Sequence, residues 1–230
     1  ALTSTAGADV LHEAGAWYLQ EPSAMLPAAV LNAQPGEHVL DLCAAPGGKS
    51  TQSGLRMGGQ GVLVCNEPVW ERAKILSQNI ERMGIPNALV VSAYPDQLAP
   101  RWPEAFDAIQ VDAPFSGEGM FRKEEAAVAD WSEETVAMCA ARQIEILRTA
   151  ASLLRPGGRL VYCTCSLLAD EGEAQLAAAL ARHPGLRVER PSMNWVEPGC
   201  ITEDGGLRLR PDHWAGRGGM DGFFMARLSR

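Results

Sequence analysis

The sequence predicts an α/β protein with a mostly parallel sheet and helices on both faces. Three observations predict it. Short apolar runs of strand length alternate with helical stripes along the middle of the chain. The order reads β-α-β-α-β-β-α-β-α, the pattern of a sheet built by crossover connections. Gly and Pro fall between the runs rather than inside them. At 230 residues the chain has the length of one domain with a sizeable core.

Each element has its own signal. Residues 37–44, EHVLDLCA, form an apolar run between Pro35-Gly36 and Pro46-Gly47-Gly48, a first strand, and a helix opens near Gly48 or Lys49. GVLVCNE (61–67) is a second strand. The stretch 69–84 is helical, with apolar residues at 69, 73, 76, 80 and 83 and Gly84 as its stop. ALVVS (88–92) and FDAIQVD (106–112) are the third and fourth strands. Ser132 reads as an N-cap with Glu133 and Glu134 in the first turn. Val136, Ala140, Ile144, Leu147, Ala151 and Leu154 follow at spacings of three and four, and Arg155-Pro156-Gly157-Gly158 ends that helix. RLVYC (159–163) is a fifth strand, 171–183 a helix, and FFMARL (223–228) a late edge strand. Residues 1–36 and 190–222 are richer in Trp, Pro and Gly and are expected to decorate the sheet.

Composition narrows the class. Hydrophobic residues make up 47% and charged residues 21%, which fits a globular rather than a disordered chain. No apolar run approaches the roughly 18–20 residues that span a bilayer. No basic segment followed by an apolar one marks a secretory signal. The net charge of −8 argues against a broad nucleic-acid surface, because phosphate binding is driven by Lys and Arg. A start at Ala1 rather than a methionine reads as a core cut from something longer.

Six cysteines form no C-x-x-C pair, and the four histidines are scattered, so no metal is expected. A disulfide between Cys163 and Cys165 would be strained, since extended i, i+2 side chains do not meet disulfide geometry. A reduced, cytoplasmic setting follows.

The unusual residues sit where strands end, and ligands of open parallel sheets bind outside the carboxyl ends of the strands. Strand one ends in DLCAAPGGKS, whose small residues allow close backbone approach and whose helix start offers free N–H groups. A plain tight turn is the alternative. The pattern is neither G-x-G-x-x-G nor a Walker A. Glu67 ends strand two, where an acid can hold ribose hydroxyls; an exposed carboxylate is the alternative. Together these imply an adenosine-like cofactor. Asp112 ends strand four, where an acid at a buried strand tip bonds something specific or caps a loop. SGEGMFRK (116–123) reads as a flexible loop whose Arg122 and Lys123 are either simply solvated or a small phosphate-facing patch. Strand five ends in CTCS, leaving Cys163 and Cys165 as packing or nucleophile.

VLDLCAAPGGKS, NEP, VDAPFSGEGMFRK and VYCTCSL resemble motifs of the NOP/Sun-type RNA cytosine C5-methyltransferases. HEAGAWYLQEPSAMLP (12–27) resembles the segment that precedes the family's cofactor loop. EGMFRK and LRLRPDHWAGRGGMDGFFMARL resemble its RsmF-like group, which modifies bacterial small-subunit (16S) ribosomal RNA. The resemblance covers nearly the whole chain. It implies a Rossmann-like class I S-adenosylmethionine-dependent methyltransferase fold with a seven-stranded sheet. It implies an N-terminal segment, 1–36, packing on a catalytic domain, 37–230, and a monomer acting on ribosomal RNA or the small subunit.

Residue by residue, the resemblance implies that Cys43, Ala44, Ala45, Pro46, Gly47, Gly48 and Lys49 wrap S-adenosylmethionine and that Glu67 holds its ribose. Asp112 lies near cofactor and target base. Cys165 matches the catalytic nucleophile, and Cys163, where the family often has a small residue, reads as packing. Lys49 and nearby helix N-termini are candidates to ionise the Cys165 thiol. The acidic residue that usually follows strand three has no match; Ser92 or Tyr94 occupies that region.

A cysteine is needed because C5 of cytosine is a poor nucleophile. A thiolate added to C6 makes C5 enamine-like, which splits one hard step into two. The base must leave any stack to reach the pocket. One departure stands out: the family's second cysteine, in DAPC, is Phe115 here. Phe115 is expected to permit transfer and slow release of the adduct. It also keeps a rival reading open, a non-catalytic cofactor-binding scaffold in ribosome assembly.

Overall fold

The structure, a computed structural model, describes residues 6–121, 128–129, 131–190, 200–213 and 220–230. Five parallel strands form the body of the sheet: β1 (His38–Asp41), β2 (Val62–Asn66), β3 (Ala88–Val91), β4 (Phe106–Asp112) and β5 (Leu154–Thr164). Three more join them: β6 (Arg187–Glu189), β7 (Leu207–Leu209) and β8 (Phe223–Ser229). The spatial order is β3-β2-β1-β4-β5-β8-β6, with β7 also paired to β8. The sheet reverses direction of travel between β1 and β4, so the loops after these strands diverge and leave a crevice.

The helices that matter for the site are α1 (Val10–Glu13), α2 (Leu26–Leu31), α3 (Gly48–Met57), α4 (Trp70–Arg82), α5 (Pro95–Leu98), α6 (Glu133–Leu153) and α7 (Glu173–Arg182). Helix α6 opens as expected: the Ser132 hydroxyl accepts the Thr135 N–H. It ends at Leu153, and the Arg155–Gly158 stretch lies inside an extended β5 rather than in a helix stop.

The late strand is not an edge. β8 lies antiparallel between β5 on one side and β6 and β7 on the other. Phe223, Phe224, Met225, Ala226 and Leu228 are buried, and a run apolar on both faces marks an interior strand. Among the described residues the sheet therefore has eight strands instead of seven, because Leu207–Leu209, within the supposed decoration, pair with β8.

Apolar clusters fill both faces, one around Leu40, Ile109, Leu147 and Tyr162, the other around Val39, Leu63, Leu76 and Phe223. The N-terminal segment joins this body. Ala28 and Leu31 of α2 are buried, and Arg159 of β5 donates to the Leu31 and Asn32 carbonyls and pairs with Glu37.

Candidate functional site

The turn after β1 is fixed by its neighbours. Leu42 N–H donates to the Gln110 carbonyl and Ala44 N–H to the Asn66 carbonyl. The Ala45–Pro46 peptide is cis. Gly47, at φ +118°, occupies the left-handed region and starts α3. At Gly48 an added Cβ would sit 2.8 Å from the Tyr18 ring and 3.0 Å from the Gln20 Oε1. The 12–27 segment lies directly on the helix start, and only glycine leaves room for it.

Between that segment and the turn runs a cleft of about 240 Å³. Cys43, Ala44, Ala45, Pro46, Gly48, Lys49 and Asp112 line it, as do Tyr18, Gln20, Glu21 and Asp41. Of the expected cofactor residues, Gly47 and Glu67 do not. Gly47 packs toward Leu76 and serves the turn's conformation. Glu67 is 2% exposed, not the solvent-facing carboxylate of the bland alternative. Its carboxylate accepts the Val69 N–H and pairs with Arg72 at 3.1 Å.

Helix α4 turns a polar face to these loops. Arg72 also donates to the Ala45 carbonyl, Asn79 to the Pro46 carbonyl, and Arg82 to the His12 and Trp17 carbonyls. One helix thus splints the β1 turn and the N-terminal segment together. Periodicity showed the apolar face of this helix and gave no sign of the polar one.

Asp41 is a site residue that strand reading passed over as part of β1. It is 2% exposed and lines the cleft. Oδ2 accepts from Ser50 Oγ at 2.6 Å and Gln110 Nε2 at 2.9 Å, and the Oδ1 atom is buried. Burial pushes its pKa up to about 6, against the pull of the Ser50 bond. The available signal was an acid in an otherwise apolar strand.

At the ends of β4 and β5 four groups meet. Lys49 Nζ pairs with Asp112 Oδ2 at 2.7 Å, and the Cys163 thiol donates to Asp112 Oδ1 at 3.5 Å. Cys163 is fully buried, so it packs, but it also braces Asp112. Burial works against the Lys49 charge, yet the Asp112 carboxylate outweighs it and the Lys49 pKa is raised. Cys165 is half-buried, two residues on. Its thiol is not activated as expected: burial first, then Asp112, push its pKa up to about 12, and Lys49 offsets this only in part.

The loop after β4 is not flexible where it is described. Ser116 and Glu118 are buried, and a Cβ at Gly119 would come 2.0 Å from the Cys165 carbonyl oxygen. Arg122 and Lys123 lie outside the described residues. Phe115 is half-buried beside this loop. All six cysteines are free, and among the described residues no cluster is placed to hold a metal and no helix is long and apolar enough to cross a membrane.

A parallel sheet with a small-residue turn after β1, an acid after β2 and chemistry at the ends of β4 and β5 defines the Rossmann-like S-adenosylmethionine-dependent methyltransferase class of fold. The family model for the 16S rRNA methyltransferases RsmB/F matches residues 28–229, and the chain belongs to that family. Ribosomal RNA small subunit methyltransferase F of Vibrio vulnificus is 40% identical over 225 residues, covering 95% of this chain and 46% of the relative. The Klebsiella pneumoniae protein of that name is 40% identical over 230 residues, covering 97% and 47%. The chain spans about half the length of these relatives. Among solved structures, NSun6 from Pyrococcus horikoshii with SFG superposes at a TM-score of 0.85 with 27% identity, covering 99% of this chain and 56% of that one. A methyltransferase homologue from the same organism gives 0.82 with 28% identity, covering 97% and 71%.

Proposed function

We propose that the chain is the catalytic core of an S-adenosylmethionine-dependent RNA cytosine C5-methyltransferase acting on small-subunit ribosomal RNA. The observation that carries this is that Cys165 lies within electrostatic reach of both Lys49 and Asp112, whose ion pair lines the β1-turn cleft. Relatives named for this activity and a neighbour solved with SFG, a cofactor analogue, support it.

The cleft fits the cofactor. Its walls carry the Asp41, Glu21 and Asp112 carboxylates, which suit a ligand with ammonium and sulfonium charge. Cys43, Ala44, Ala45, Pro46 and Gly48 would supply the close backbone walls, Gly47 their turn, and Lys49 the edge toward the target base. Glu67 would hold the ribose, oriented by Arg72. When bound, S-adenosylmethionine supplies an electrophilic methyl group.

The residues then divide the work. Cys165 Sγ, once its thiol proton has passed to a base or to solvent, would add to C6 of an unstacked cytosine and push the ring electrons toward C5; C5 would then take the methyl as its bond to the sulfonium sulfur breaks, with S-adenosylhomocysteine as the leaving group. Asp112, held by Lys49 and Cys163, hydrogen-bonds the N3/N4 edge and steadies the adduct. Loss of the C5 proton to a base expels Cys165 and restores the aromatic ring. In this reading 1–36 is an N-terminal segment on the 37–230 catalytic domain, and its Tyr18, Gln20 and Glu21 line one wall of the cleft. The protein is expected to be a cytoplasmic monomer.

Transfer of labelled methyl to naked ribosomal RNA and to small subunits tests this. Label in 5-methylcytosine that vanishes with Cys165→Ala supports it. Unchanged label in that variant contradicts it. The scaffold reading, kept by Phe115 and by the exposed Tyr94 after β3, predicts cofactor binding with no label in any setting, including the full-length protein.

A further inference from the structure

Behind Cys165, two glutamates are buried without a cation. Glu118 is 8% exposed and Glu171 fully buried. Among the described residues, neither is in an ion pair. Two serine hydroxyls join them. Ser116 Oγ lies 2.7 Å from Glu118 Oε2 and 2.7 Å from Glu171 Oε2. Ser166 Oγ contacts Glu118 Oε1 and lies 2.8 Å from Glu171 Oε2.

Counting hydrogens decides the charge state. The ring has four hydroxyl–carboxylate contacts, and two serines bring two hydrogens. With both glutamates ionised, two contacts would set lone pair against lone pair in a buried site, a costly arrangement. One further proton leaves one such contact instead of two. Its place is also legible. Glu171 Oε1 already accepts the Ser116 N–H and the Gln143 amide, and Glu118 Oε1 accepts the Leu167 N–H. Glu171 Oε2 faces only the two hydroxyls.

The ring is fastened to the Cys165 turn on both sides. Ser166 follows Cys165 in the chain, and its hydroxyl accepts the Leu168 N–H. Gly119, next to Glu118, lies against the Cys165 carbonyl with no room for a Cβ. This gives the SGEG and TCS motifs one shared purpose.

We infer that Glu118 and Glu171 share one proton, carried on Glu171 Oε2, and that this neutral clasp positions the turn bearing Cys165. The positioning half rests on Cys165 being the nucleophile; the proton half does not. The surroundings agree. Burial, then the Glu118 charge, raise the Glu171 pKa against its serine bonds. The nearby titratable and charged groups are Cys139 and Arg142 on α6, Tyr162 on β5, whose hydroxyl donates to the Glu171 carbonyl, and the Arg208–Glu173 pair. Arg208 spends its charge on Glu173 and the Ser166 carbonyl.

Infrared spectroscopy of the protein reads the proton directly, as a carboxylic-acid C=O stretch above the pH at which Asp41 titrates, about 6. The band should be lost in either Glu171→Gln or Glu118→Gln, because one amide supplies the missing hydrogen, and kept in Cys165→Ala. Both Gln variants should retain methyl transfer within a few-fold. Glu171→Leu should lower kcat at least about tenfold with the cofactor KM unchanged, since the clasp lies outside the cleft. No band in the wild type, or a band untouched by both Gln variants, overturns the shared proton. Equal losses in Gln and Leu variants overturn the clasp as a positioning device. A band that behaves as described beside a fully active Cys165→Ala would leave the proton standing and remove the nucleophile reading.

Discussion

Two acidic arrangements flank the Cys165 turn, and they solve the same problem in opposite ways. In front, at the cleft, Asp112 is matched with a cation, Lys49, at 2.7 Å and remains partly exposed. Behind, Glu118 and Glu171 are buried with no cation among the described residues, and hydroxyls and the inferred shared proton stand in for one. The front arrangement presents charge to a ligand. The back one removes charge so that a loop and a turn can be packed together. The lesson is that an acid near a reactive cysteine has no fixed meaning; its partners decide whether it acts on the ligand or holds the scaffold.

The comparison breaks most sharply at Gly119. Gly119→Val would drive a side chain into the Cys165 carbonyl, where even a Cβ comes within 2.0 Å. Methyl transfer should fall at least about a hundredfold and stability by about 1–3 kcal/mol, the cost of overpacking. Thermal melting beside the transfer assay checks it, and near-wild-type activity would mean the loop is not pinned.

The front pair is separated from the back one by Asp112→Asn. Removing that negative charge should lower the Cys165 pKa from about 12 and speed its alkylation several-fold at a fixed pH, while methyl transfer drops. In the wild type the alkylation rate should rise about tenfold per pH unit as the thiolate fraction grows. Peptide mapping by mass spectrometry isolates Cys165 from the other thiols. A slower reaction in Asp112→Asn would reverse the assigned sign.

Asp41 gives an effect on stability with a defined pH window. Its folded pKa, about 6, lies above the ordinary 3.8, so the folded state holds a proton that the unfolded state has released. Stability therefore falls as pH rises from about 4 to about 6, by roughly 3 kcal/mol. Asp41→Asn should melt higher than the wild type above that window, match it below, and bind S-adenosylmethionine less tightly. The smallest expected change is at Phe115. Phe115→Cys should shorten the lifetime of the covalent RNA adduct and leave the transfer step alone; an unchanged lifetime would remove Phe115 from the account of release.

The sequence and the structure agree where a local rule was decisive. β4 runs Phe106–Asp112 as read, and Ser132 caps α6, because apolar runs and capping residues act over a few neighbours. The edge position assigned to FFMARL failed because strand order depends on partners far away in the chain, here β5 on one side and β6 and β7 on the other. Most of the cleft was legible because CAAPGGK carries its conformation in its own residues. Tyr18, Asp41, Arg72 and the Glu118–Glu171 ring were not, because each depends on contacts between separate segments. The Lys49–Asp112 pair was not legible either, because it joins two strand ends 63 residues apart in the chain.

The central claim is that Cys165, not its buried neighbour two residues earlier, forms the bond to RNA. Mass spectrometry of the protein incubated with S-adenosylmethionine and small-subunit ribosomal RNA, in Cys163→Ala and Cys165→Ala forms, tests it directly. The account predicts a cytosine-modified peptide containing Cys165 in Cys163→Ala and no RNA adduct in Cys165→Ala. An adduct that survives Cys165→Ala, or one that maps to Cys163, would contradict it.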